Sequence, residues 1–320
     1  MNILSPLTVL LLTSAMVPPA VLADAPASFP SGAITVPMLP PQALNGYPYV
    51  VVSAKVNTAG PFLFLLDSGA ERNFADTTLP RAASLKIHGG GHINGIGPTR
   101  EGSLQTEETT LQLGAVSFPG QKFLTSDLSG ITTKSGISFS GLLGENIFRQ
   151  FVVRVDYAHS LLTLTPPVQF HYHGTGVVMP LSFNEAHCPQ IEAEVEGVTG
   201  KFMIDTGSDA TLTLNTPFVG ENGFRAKYAS VGKTITTAGI GGETKVQIVP
   251  ALRLRIGGIA ITGMPVGLSL AQSGTETDKN TDGAFGGALL SHFVLTFDYS
   301  RKQLIFEPPT DASQTSTSKP

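Results

Sequence analysis

Two short tripeptides in this sequence carry the residue types for acid–base chemistry: Asp67-Ser68-Gly69 and Asp205-Thr206-Gly207, 138 positions apart. Each follows an apolar run, Phe64-Leu65-Leu66 and Phe202-Met203-Ile204. One such tripeptide alone reads as a chain reversal, since Asp and Gly turn the backbone readily. Two in matching settings ask for a different account. If the fold brings Asp67 and Asp205 together, the carboxyls cannot both ionise without repulsion, so they share a proton and titrate as a pair. Such a pair holds a base and an acid at once. The ionised member can take a proton from water while the protonated member polarises a carbonyl, which is general acid–base hydrolysis without a covalent intermediate.

What must position them is a duplicated architecture. The segment from Gly141-Leu142-Leu143-Gly144 to Pro166-Pro167 recurs at an offset of 142, from Gly283-Ala284-Phe285-Gly286 to Pro308-Pro309, with nine of 27 positions identical. Chance would give roughly two. Each half therefore runs in the same order: apolar strand, D-[ST]-G, a Gly-rich stretch (89–102 and 238–242), a two-glycine turn and a closing strand pair. Two such lobes facing each other across a pseudo-twofold axis would place Asp67 and Asp205 at their interface. Strands are predicted at 49–56, 61–66, 152–157 and 161–165 and at their counterparts, from short β-branched and aromatic runs bounded by Gly, Pro or Asn. Helix is expected only in short pieces such as 146–150 and 288–292.

With these motifs the chain resembles a two-lobed aspartic peptidase of the pepsin/retropepsin clan, closest to bacterial retropepsin-like proteins, over about residues 34–308. The resemblance implies an all-β fold of two homologous β-barrel lobes with the catalytic cleft between them. It maps the catalytic aspartates onto Asp67 and Asp205. It also implies that the Ser68 and Thr206 hydroxyls bond across to the opposite loop, and that Gly69 and Gly207 allow close approach and supply N–H donors. Gly95-Ile96-Gly97 and Gly239-Ile240-Gly241 would be flap tips that close over an extended peptide; otherwise they are ordinary hairpin turns. Neither contains the Tyr that pepsin-like flaps carry, and Ala284-Phe285-Gly286 is an unusual version of the second-lobe motif. Ser208, by donating to Asp205 where Ala70 offers Asp67 nothing, predicts that Asp205 holds most of the charge and Asp67 most of the shared proton.

Composition narrows the alternatives. The chain has 320 residues, 41% hydrophobic and 14% charged, with 35 Gly, 23 Pro and one Cys, and a net charge of −4. That balance favours a mostly β protein with many tight turns and gives no electrostatic footprint for nucleic acid. A single Cys188 excludes an internal disulfide framework and reads as a small residue in a loop. His171, His173, His187 and Cys188 lack a recognised metal-ligand spacing, so neither metal nor cofactor is expected. Asp156 and Asp298, each followed by Tyr, read as structural turn acids. No G-x-S-x-G occurs, which disfavours a serine hydrolase. Residues 3–22 are uncharged and apolar and end on Val21-Leu22-Ala23, which predicts a cleaved signal peptide over 1–23 and export to a periplasm or the medium. The organisation expected is an N-terminal lobe at 24–165, a connection at 166–176, a C-terminal lobe at 177–309 and a loose tail at 310–320, in a monomer without a membrane span. The rival to a peptidase is a duplicated β-domain that binds peptides or cell-envelope ligands without cutting them.

Overall fold

The structure, a computed structural model, describes residues 32–131, 136–250 and 252–309; the expected signal segment and tail lie outside them. The chain is built mostly of strands, arranged in two lobes and joined through a shared sheet. Among the described residues no helix is long and apolar enough to cross a membrane.

The shared sheet explains the repeat. Its six strands run in the order Ile34–Pro37, Leu161–Thr165, Val152–Asp156, Val294–Asp298, Gln303–Glu307, Val177–Pro180. Read from either end, the order visits equivalent segments of the two halves. At its centre Val153 faces Phe297, Arg154 faces Thr296 and Val155 faces Leu295 in antiparallel register. Arg154 and Thr296 are repeat equivalents, so the register maps onto itself when the halves are exchanged, and the pseudo-twofold axis passes between these two residues. Phe148 packs edge-on against Phe297 with ring centroids 5.1 Å apart, and one continuous apolar core runs from the N-terminal lobe through this sheet into the C-terminal lobe. The two lobes are thus fixed relative to each other by a common interior.

Within each lobe the apolar runs ahead of the aspartates become central strands. Phe64, Leu65 and Leu66 are all fully buried, because the strand Ala59–Leu66 is covered on both faces: Phe64 and Leu66 enter the main core, and Leu65 enters a smaller cluster with Tyr49 and Leu142. A strand buried on both sides needs no polar alternation, so it reads as an unbroken apolar run. The two-glycine segments return alongside in parallel: Leu142 faces Leu65 in one lobe and Ala284 faces Met203 in the other. In each case the second glycine, Gly144 or Gly286, packs against backbone carbonyls of the aspartate loop, where a side chain would collide. Ala284-Phe285-Gly286 fits the same place as Leu142-Leu143-Gly144 because its Phe285 is fully buried in the core.

The predicted short helices form at Glu145–Phe148 and Gly287–Leu290. Asp156 and Asp298 cap the turns after their strands: Asp156 accepts the His159 N–H, and buried Asp298 accepts from Ser300 and Arg301. Truncating Phe297 to Ala removes an aromatic side chain from the seam between the lobes. It should lower unfolding stability by about 3–5 kcal/mol, read from urea denaturation of the full chain.

Candidate active site

Both aspartates sit where the central strands of the two lobes end. The Asp67 N–H donates to the Leu143 carbonyl at 2.9 Å, which ties that loop to its return strand. Asp205 is the last residue of the strand Val198–Asp205 and lies in register with Gly286. Each carboxylate then accepts the N–H of the glycine two positions on, Gly69 to Asp67 Oδ1 at 2.8 Å and Gly207 to Asp205 Oδ1 at 2.9 Å.

The hydroxyls between them reach across the interface. Thr206 Oγ1 donates to the Leu66 carbonyl at 2.6 Å and accepts the Ser68 N–H at 3.0 Å. Ser68 Oγ donates to the Ile204 carbonyl at 2.6 Å and accepts the Thr206 N–H at 3.1 Å. These four bonds are reciprocal and lie on buried groups, so every donor and acceptor is used and none is left without a partner in the interior. They also set the spacing of the carboxyls. A methyl on Gly69 would lie 2.8 Å from the carboxyl carbon of Asp205, and one on Gly207 would press on that of Asp67 closer still. Only glycine lets each loop come this near the opposite acid.

Proximity and enclosure shape the titration. Burial and the Asp205 charge raise the Asp67 carboxyl well above the ordinary aspartate range, against the Gly69 N–H, which favours its ionised form. Burial also raises Asp205, but the Gly207 N–H, a hydrogen bond from Asp67 and the Ser208 N–H oppose it. Both residues keep part of their surface open to the cleft, which moderates the effect of burial. The two carboxyls titrate as a coupled pair, and both are raised. The expected influence of Ser208 has a different source. Ser208 acts on Asp205 through its backbone N–H, while its hydroxyl accepts the Ala210 N–H at 3.2 Å.

Two further residues come to the loops that the sequence did not mark. Val51 and Gln190 hold the same place in their lobes, facing Leu65 and Met203, so two positions earlier Tyr49 and Cys188 are equivalents. Cys188 is a small buried residue in the loop before the strand Pro189–Val195, as expected, and its thiol donates to the Gly69 carbonyl at 3.1 Å, which supports the Asp67 loop. Burial and the charges of both aspartates push that thiol far up, and it stays protonated. Burial and the neighbouring acids Asp209, Asp205 and Asp67 likewise push up the Tyr49 phenol. A tyrosine thus stands beside the pair, entering from a strand rather than from a flap. His171 and His173 stack on each other at 6.4 Å in the connection, apart from Cys188. Among the described residues no group of three or more His, Cys, Asp or Glu is arranged to hold a metal ion.

The two expected flap tips meet each other but are unequal. Residues 239–241 form the tip of a long hairpin, Lys233–Gly239 against Gly242–Val249, with Gly239 facing Gly242 and φ +84° at Gly241, as the third position of a type II turn requires. Residues 95–97 lie in a loop closed only by the short pair His92–Ile93 and Glu101–Gly102. The Gly97 N–H donates to the Ile240 carbonyl at 3.1 Å, joining loop to hairpin across the lobes.

With this geometry in place, comparison with known families adds one finding: a family model matches residues 191–286. The match is to an aspartyl protease. It spans Asp205-Thr206-Gly207, the hairpin and the return strand to Gly286. None of the curated proteins compared with the chain matches it. The aspartyl protease match falls on the C-terminal lobe, and the first lobe repeats its elements around Asp67.

Replacing Thr206 by Val keeps the shape but leaves the buried Ser68 N–H and Leu66 carbonyl unpaired. It should lower stability by about 2–4 kcal/mol in chemical denaturation, with Thr206→Ser restoring most of it. The raised carboxyls have a second consequence. The folded state holds protons there that the unfolded chain has already released, so their contribution is fully present below the ordinary aspartate pKa and is lost as pH rises through the raised values. The melting temperature should fall between about pH 4 and 7, and Asp67→Asn should flatten that slope in calorimetry.

Proposed function

We propose that the chain is a bilobal aspartic endopeptidase of the retropepsin-like kind, acting on extended peptides with a single catalytic pair, Asp67 and Asp205. The observation that carries this reading is the reciprocal set of bonds from Ser68 and Thr206, which ties the two aspartate loops together at the junction of the lobes. The aspartyl protease match over 191–286 supports it independently and points to peptide substrates.

In this mechanism a water lies between the carboxyls. Ionised Asp205 removes a proton as the water oxygen attacks the scissile carbonyl carbon, and Asp67 delivers its proton to the carbonyl oxygen. The tetrahedral diol then collapses. Asp205 passes its proton to the leaving nitrogen, and Asp67 regains one from the diol as the carbonyl re-forms. The protons balance over one turnover, and neither a metal nor a cofactor enters. The loop at 95–97 and the hairpin tip at 239–241 would cover the bound peptide, excluding water and offering backbone hydrogen bonds to it. Bulky apolar side chains next to the cut bond are the preference that the resemblance implies. We place the working protein outside the cytoplasm, as a monomer released by cleavage after Ala23; N-terminal sequencing of secreted protein checks that site.

The reaction needs one proton on the pair, so the rate falls on both sides of an optimum. Deprotonation of Asp67 sets the alkaline limb, and the raised carboxyl places the optimum at roughly pH 4–6.5. The test is a diverse peptide pool incubated across that range and on to neutral pH, with products identified by mass spectrometry. Wild type should cut, and Asp67→Asn and Asp205→Asn should each lose about 10³-fold in rate. Cleavage that survives either change rejects the pair as the catalyst. Tight peptide binding without cleavage by wild type would favour a silent binding domain.

A further inference from the structure

The joint between loop and hairpin contains a side chain that the proposed chemistry does not use. Three hydrogen bonds cross it at the tips. The Gly97 N–H donates to Ile240 at 3.1 Å, the Thr99 N–H donates to the Gly241 carbonyl at 3.0 Å, and the Gly241 N–H donates to Glu101 Oε1 at 2.9 Å. The first two join backbone to backbone. The third ends on a carboxylate, and a bond to an ionised acceptor is stronger than one between neutral groups. The other oxygen of that carboxylate, Oε2, accepts the Ser126 hydroxyl at 3.1 Å. Ser126 is buried at the end of the strand Leu124–Ser126, which lies parallel to Phe74–Asp76 in the N-terminal sheet. Glu101 therefore connects the body of one lobe to the hairpin tip of the other.

The surrounding contacts make this a closed joint. Ile96 covers Gly239 so tightly that a methyl there would lie 2.9 Å from its side chain, while Ile240 packs on the N-terminal cluster that holds Tyr49 and Leu65. From the C-terminal lobe, the Thr275 N–H donates to the Gly95 carbonyl at 3.0 Å. The backbones touch: a methyl on Gly97 would fall on the Gly241 carbonyl. An extended chain can be laid across the two lobes from the side only when these tip contacts part.

We propose that Glu101 is the gate residue of this cleft: its carboxylate fastens the tip of the C-terminal hairpin to the N-terminal lobe and sets how readily an extended peptide enters. This rests on the hydrolytic reading only for what the peptide undergoes once inside. Glu101 touches neither aspartate loop; it acts through Gly241 on access, so its effect belongs to association rather than to bond cleavage.

The test uses the full mature chain and two readouts that need no hydrolysis. Amide hydrogen exchange at Gly241 reports the latch. Stopped-flow association of a fluorescent Phe/Leu peptide whose central bond is a reduced CH2–NH reports the gate. Glu101→Ala should speed Gly241 exchange and peptide association by about tenfold each, as the loss of one charge-assisted bond implies. Glu101→Gln, which keeps an acceptor oxygen without the charge, should fall between. Gly97→Ala, a wedge at the same joint, should also speed association. Amides of Val246 and Ile248 in the hairpin stem should keep their protection in all three, showing that the hairpin itself is folded. Unchanged Gly241 exchange in Glu101→Ala overturns the latch. Faster exchange without faster association overturns the gate, as does wild type that fails to bind the peptide. If both shifts appear in a protein that cuts nothing, the gate stands and only the hydrolytic reading falls.

Discussion

Everything at the junction of the lobes depends on two hydroxyls exchanging hydrogen bonds with the opposite backbone. Ser68 and Thr206 each donate to a carbonyl of the other lobe and accept an N–H from it, and both side chains are buried. A buried donor or acceptor without a partner is destabilising by an amount comparable to a lost hydrogen bond, so neither loop can shift alone. The carboxyls on either side inherit that precision. Two like acids held side by side are unfavourable when both are ionised, and both carboxyls are raised there. The strain of proximity and the capacity for acid–base chemistry are the same feature seen twice.

Around that junction the symmetry is deep but incomplete. The six-stranded sheet maps onto itself about Arg154 and Thr296, and the aspartate loops obey the same operation in their backbone bonds. Difference enters through side chains. Tyr49 and Cys188 hold equivalent places, yet one is a bulky phenol and the other a small thiol donor. The Asp205 loop adds the Ser208 N–H to a carboxylate that also takes a hydrogen bond from Asp67, which opposes the rise that burial causes there. The covering segments differ most, with a long hairpin from one lobe and a loop from the other. A single chain can divide labour between its halves in a way that two identical subunits cannot.

This pattern explains what was legible in the sequence. The twofold demands like residues at like positions, so D-[ST]-G, the paired glycines and the closing strands are visible as a repeat, and with them Asp67, Asp205, Ser68 and Thr206. The strands 152–157 and 161–165 were readable for the same reason, and the short helices fell within a residue or two of their expected places. Residues outside the symmetry left no such mark. Tyr49 and Cys188 share no chemistry, so alignment of the halves does not pair them; only strand register does. Glu101 meets Gly241 across 140 residues with no local pattern. Ser208 misled because a hydroxyl beside an acid suggests a bond to it, whereas it is the Ser208 backbone N–H that favours the ionised Asp205, and the hydroxyl accepts the Ala210 N–H.

The central claim is that Asp67 and Asp205 own one proton between them over the working range. Its most direct measurement is a carboxyl carbon NMR titration of protein labelled at the aspartates, with assignment by the single Asn variants. Two widely separated apparent pKa values, with Asp205 ionising first and Asp67 keeping its proton well above the ordinary aspartate range, would bear the account out. Two independent titrations near the ordinary value, each unaffected by removing the other acid, would contradict it.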